Sequence, residues 1–203
     1  MYIEFLVEEP STEAALYNLV PKIIGDAVDF FVHPHQGKLD LLAKLPGRLK
    51  GYRAALPEDG RIVVLVDRDD DDCHTLKARL EEMARAAGLT TRAVVGDGAQ
   101  FQVLNRLAIE ELEAWFFGDI DALRAAYPRL SASLAQRAKY RNPDAIAGGT
   151  WEALERELKR AGYFLGGLQK IAAAREIAVH MQPDRNSSHS FQVFQQGLLA
   201  LIG

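Results

Sequence analysis

Residues 63–72 read VVLVDRDDDD, a short apolar strand that runs straight into a cluster of aspartates. An uninterrupted run of β-branched and aliphatic residues is the pattern of a strand buried on both faces, as in a parallel sheet. The carboxylates that follow (Asp67, Asp69, Asp70, Asp71 and Asp72) repel one another and gain nothing from packing. A divalent cation relieves that repulsion, because hard cations take oxygen ligands. Open α/β sheets also bind their ligands at the carboxyl ends of the strands. Residue type and position together point to a Mg²⁺ or Mn²⁺ site.

A second acidic cluster lies in residues 2–16, YIEFLVEEPSTEAAL. Tyr2 to Val7 reads as another strand with Glu8 and Glu9 at its end. Pro10-Ser11-Thr12 then starts a helix that carries Glu13 in its first turn, where the helix dipole favours an acid. The dipole alone accounts for Glu13, and a solvated turn for Glu9. Glu8 ends a buried strand expected beside the Val63 strand, so neither account covers it.

At 203 residues, with 48% hydrophobic and 26% charged residues, the chain has the size and composition of a globular domain with a substantial core. A single cysteine, Cys73, rules out a disulfide framework and fits a reducing compartment. Glu4, Glu8 and Glu9 occupy the region where a signal peptide needs a basic and then an apolar segment. No apolar run is long enough to span a bilayer, and a cytoplasmic protein is expected. The net charge is −4, but the two acidic clusters hold eight of the 28 acidic residues. The 24 cationic residues then face 20 acidic ones, a balance of +4, which is compatible with a polyanionic substrate.

Strand and helix alternate through the first half. The pattern predicts helices over residues 11–24, 39–56 and 75–87 and strands over 28–33, 61–66, 90–95 and 100–104, the last two around a Gly96-Asp97-Gly98 turn. Such alternation implies a parallel sheet with right-handed crossovers. From about Asn105 the pattern is helical, with candidates at 107–117, 121–127, 151–161, 168–180 and 191–202. The expected organisation is an α/β metal-binding domain over 1–104 and a helical extension over 105–203 packed on it.

In a doubly wound sheet Glu8, the His33-Pro34-His35 segment and Asp67 emerge on one edge. Asp67, Asp69 and Asp71 alternate, so in an extended segment they point the same way. Asp72 has the place of a helix N-cap. Glu8, Asp67 and Asp69 suffice for one metal ion, and Glu13 and Asp71 extend the set to two, roughly 4 Å apart. Glu110, Glu111 and Glu113 fall on a helix with an apolar stripe of Ile109, Leu112 and Phe116, where a solvated face also explains them. Lys38 follows Gly37 at a helix start, but GxxxxGK[ST] is missing, so this is no P-loop. Arg124, Arg129, Arg137, Lys139, Tyr140 and Arg141 read either as a contact for a nucleic-acid backbone or as a solvated basic face. Ser187, Ser188 and Ser190 show no base partner, and no nucleophile is assigned.

These motifs resemble the TOPRIM fold of topoisomerases, bacterial primases and nucleases of the overcoming-lysogenization-defect type. That family has a Glu ending its first strand and Asp-x-Asp after its third, matched here by Glu8 in LVEEPSTE and Asp67-Arg68-Asp69 in LVDRDDDD. The nuclease branch commonly reads Glu-Gly, a small or polar turn, and a second acid on the helix. Glu13 matches that acid, whereas Glu9 stands where Gly is usual. The branch also uses a later Glu and a Lys. Glu113 in RLAIEELEAWFFGD resembles a Glu-x-Trp of related small TOPRIM proteins, and Lys170 in GGLQKIAAAREIA stands as the Lys. The whole chain is also similar to a bacterial family of small TOPRIM-like proteins labelled as a domain of unknown function. Its members are often encoded beside ATPases and suspected in phage defence.

The resemblance implies a TOPRIM-like, mostly parallel sheet flanked by helices, and Mg²⁺-dependent phosphodiester hydrolysis by a nuclease. Glu8, Asp67, Asp69 and Lys170 would be catalytic. Glu8, Glu13, Asp67, Asp69, Asp71 and Glu113 would hold Mg²⁺ or Mn²⁺, with nucleic acid as partner. The alternative is a non-hydrolytic regulatory or effector subunit that uses the same scaffold to bind a partner ATPase or a nucleotide. The acidic net charge and the missing Gly after Glu8 motivate it. An oligomer fits either expectation. A phosphoacceptor domain is a third reading, but a separate phosphoacceptor Asp on a later strand is lacking.

Overall fold

A computed structural model describes residues 1–95 and 99–203. The Gly96-Asp97-Gly98 turn lies outside the described residues. Four parallel strands form one sheet: β1 (Tyr2–Val7), β2 (Asp29–Pro34), β3 (Gly60–Asp67) and β4 (Val103–Ala108). Their order across the sheet is β2-β1-β3-β4. β3 is central and buried at every position, as its unbroken apolar run requires. The fold is α/β, with helices on both faces of the sheet.

The two-residue period of the strands sorts their side chains between two cores. Phe5, Val63 and Leu65 face one side, where α1 (Pro10–Ile24), α4 (Glu113–Phe117), α7 (Lys170–His180) and α8 (His189–Ile202) pack. Leu6, Val64 and Val66 face the other, against α2 (Lys38–Ala55) and α3 (Cys73–Ala86). Two further helices, α5 (Ile120–Ala126) and α6 (Thr150–Arg160), complete the first layer. No helix among the described residues is long and apolar enough to cross a membrane.

Three sequence expectations need correction. Residues 90–95 do not form a strand; Thr91 makes an isolated bridge to Val103 and a turn follows. The strand expected at 100–104 starts at Val103 and runs on to Ala108, paired with β3 over its whole length. The boundary drawn at residue 104 therefore falls inside β4. The helix expected over 107–117 is only α4, because Leu107 and Ala108 belong to β4 and residues 109–112 turn out of the sheet. Pairing with a buried strand overrides a helical periodicity here. Asp72 is the N-cap of α3, its Oδ1 accepting from the Thr75 N–H at 2.8 Å.

Trp115 is the largest fully buried side chain and joins the C-terminal helices to the sheet. Its ring lies 5.2 and 4.9 Å from Phe191 and Phe194 of α8, and its indole N–H donates to Ser190 Oγ at 3.0 Å. Ser190 is fixed in turn by Asp144, which also accepts from Ser188 Oγ. Ser188 caps α8, and Ser190 braces Trp115. Trp115→Ala should destabilise the protein by about 3–5 kcal/mol in denaturant titration, the range for removing a buried Trp.

Candidate active site

The carboxyl ends of β1, β3 and β4 converge at one edge of the sheet. Glu8 follows β1, Asp67 ends β3, and Glu113 opens α4 soon after β4. All three are buried, at 7%, 9% and 3% exposure. The loop after β4 is stitched to the loop after β3: Arg68 N–H donates to Ala108 O, Asp69 N–H donates to Glu110 O, and the Arg68 guanidinium pairs with Glu110 at 3.0 Å. That stitching brings Glu113 to the aspartate.

The carboxylates have few partners. Glu8 Oε2 accepts the Asp67 backbone N–H at 3.2 Å. Among the described residues no hydrogen bond or ion pair reaches the Asp67 carboxylate. Burial, and then the charge of Asp69, push the Glu8 pKa up to about 7. Burial, followed by the charges of Glu8 and Glu113, raises Asp67 well above the usual range. Glu113 is pushed up to about 7 by burial, against the pull of Lys170.

Lys170, the first residue of α7, supplies the cation beside Glu113. Its Nζ lies 3.9 Å from Glu113 and 3.8 Å from Glu9. Burial works to depress its pKa, but Glu113 and Glu9 outweigh burial and the ammonium is held above its usual value. Trp151 shields it, with the ring centre 5.4 Å away. α1 and α7 pack side by side, which is what brings Lys170 across to the strand ends.

Asp69 and Asp71 turn towards Lys38. The segment after Asp67 is a turn rather than an extended chain, with Asp69 at φ +49°. Both side chains bond Lys38, at 2.7 and 2.8 Å, and Lys38 also donates to Arg68 O at 2.9 Å. The expectation that Asp67, Asp69 and Asp71 share a direction fails for this reason. Glu13 lines a separate groove between α1 and α7 with Tyr17, Ile171 and Arg175. Among the described residues, no three His, Cys, Asp or Glu side chains are already spaced to hold a metal ion.

Sequence reasoning undervalued the loop between β2 and α2. His35 Nδ1 and its backbone N–H both donate to Val7 O, at 2.9 and 3.0 Å, and Gly37 N–H donates to Glu8 O at 3.1 Å. With Lys38 on the aspartate turn, this one loop fixes both acidic strand ends. Its signal was HPHQGK leaving a strand at the same sheet edge. Within the basic segment, Arg137, Lys139 and Tyr140 converge on buried Glu157 of α6, while Arg129 and Arg141 are exposed.

A family model described as Domain of unknown function (DUF4276) matches residues 7–199, and the chain belongs to that family. No curated protein and no solved structure matches the chain significantly.

The raised carboxyl pKa values have a thermodynamic consequence. The folded state binds Glu8 and Glu113 protons more tightly than the unfolded chain, so these groups lower stability as pH rises from the ordinary 4.5 to about 7. His35, held neutral by burial, acts oppositely below its ordinary 6.5. Comparing variants cancels that term. In chelator, Glu8→Gln should gain about 2–3 kcal/mol relative to wild type between about pH 5 and about pH 8. Calorimetric melting at both pH values checks it; a pH-independent difference would contradict the assignment.

Proposed function

We propose that the chain is a TOPRIM-like, divalent-cation-dependent phosphodiesterase acting on nucleic acid. One observation carries this reading: three buried carboxyls meet at the carboxyl edge of a parallel sheet, where burial raises the proton affinity of each, Glu8 and Glu113 raise that of Asp67 further, and the Lys170 ammonium lies beside Glu113. Clusters of perturbed acids at strand ends are where α/β proteins do chemistry.

The donor set suits Mg²⁺ or Mn²⁺. Glu8 and Asp67 offer only oxygen, and their repulsion is what a hard cation relieves. Asp69 completes the set where a cation competes with Lys38 for its carboxylate. Glu113 is a candidate for a second position; Asp71, which Lys38 holds, and Glu13, which lies apart, are weaker ones. When bound, the cation supplies Lewis-acid stabilisation of the phosphate and an activated water. Where it does not hold a cation, Glu113 lies buried beside Lys170 in a position to take or return a proton. Lys170 keeps a positive charge at the mouth of the cluster for a phosphate oxygen. Lys38 and His35 hold the backbone that carries the acids.

Calorimetric titration with Mn²⁺ and a plasmid-nicking assay test this together. Wild type should bind and nick. Asp67→Asn should lose both, whereas Lys170→Met should keep Mn²⁺ binding and lose about 10²–10³-fold in cleavage rate. Binding without cleavage in wild type would shift the reading to the non-hydrolytic subunit that engages an ATPase or nucleotide. No binding would end the metal reading.

A further inference from the structure

The two edges of the sheet are treated differently. At β4, the outward carbonyl of Asn105 is occupied by Lys77 Nζ at 2.6 Å and Arg106 Nη1 at 3.0 Å, and Thr91 bridges to Val103. Cations and a covering segment on an edge strand prevent another strand from pairing there. At the opposite edge, β2 hydrogen-bonds only to β1. Among the described residues, no backbone hydrogen bond of 29–34 lies outside that ladder. The strand DFFVHP contains no lysine or arginine. Its Phe31 is 54% exposed, and Tyr17, which lies against Phe30 with ring centres 5.5 Å apart, is 50% exposed.

We propose that this edge is a dimer interface, in which β2 pairs antiparallel with β2 of a second copy about a two-fold axis at Phe31. The strand is its own complement. Centring the pair on Phe31 sets Phe31 against Phe31, Phe30 against Val32, and Asp29 against His33. Directly opposed residues in an antiparallel pair make the contacts that stabilise it, and an aromatic pair at the axis is favourable. Asp29 is exposed, and the His33 side chain is 36% exposed. Its Nε2 bonds Glu4, and its Nδ1 makes no other described hydrogen bond. A two-fold axis requires the same patch on both partners, which this order of residues provides. Tyr17 and Phe30 of each copy flank the joint on the α1 face. The joined sheets have eight strands, and the two carboxyl edges point in opposite directions, so each site is built from one chain.

Sedimentation at micromolar concentration tests the interface. Wild type should run at twice the mass of the chain. Phe31→Lys, which puts a charge on the axis, should run as the monomer with an unchanged circular dichroism spectrum. Leu165→Lys, at a residue 76% exposed elsewhere, should remain dimeric. In a Cys73→Ser background, Phe31→Cys should cross-link to a dimer on mild oxidation, a readout that survives if Phe31→Lys folds poorly. A monomeric wild type overturns the proposal. So does a dimer that persists in Phe31→Lys while Phe31→Cys fails to cross-link. None of these residues belongs to the carboxylate cluster, so failure here is separable from failure of the phosphodiesterase reading.

Discussion

Burial of three carboxyls together at one sheet edge is the constraint around which this fold is arranged. Glu8, Asp67 and Glu113 come from three separate stretches of chain, yet each feels the others or their immediate neighbours. Removing ionised carboxylates from water is costly unless a partner compensates or the proton returns. Lys170 compensates Glu113 in part, and the remaining cost appears as raised proton affinity. A structure selected only for stability would place Glu8 and Asp67 in solvent or pair them, as it pairs Glu157. There three cations and Tyr140 surround one buried carboxylate and, against burial, hold its pKa near 2.

Holding repelling groups in place requires rigid support, and the sheet supplies it. β3 lies between two apolar layers, so Asp67 is anchored by a strand with no exposed position. The loop from β2 to α2 then ties down the flanking backbone, with His35 and Gly37 on the end of β1 and Lys38 on the turn after β3. Lys38 also pairs with Asp69 and Asp71 on that turn. Trp115, braced by Ser190 and Asp144, sets α4 and with it Glu113. Loop and aromatic plug position carboxylates that would otherwise move apart.

Much of this was legible in the sequence where the signal is local. The apolar run of β3, the acids at the ends of β1 and β3, the N-cap at Asp72 and most helices follow from periodicity and turn chemistry. Residues 107–117 misled because Leu107 and Ala108 fit either period, and only pairing with β3 decides for a strand. The aspartate run misled because alternation implies a common direction only in extended chain, and the φ of Asp69 breaks it. Asp tolerates the left-handed region better than most residues. The meetings of Lys170 with Glu113 and of Lys38 with Asp69 join residues far apart in sequence, which no local pattern encodes.

The central claim is that the buried carboxyls form a cation site. Anomalous diffraction from crystals soaked in Mn²⁺ tests it directly. The account predicts a manganese peak bounded by the side chains of Glu8 and Asp67, with Asp69 or Glu113 turned towards it. Crystals that show no peak at that edge, or manganese bound only elsewhere, would contradict it.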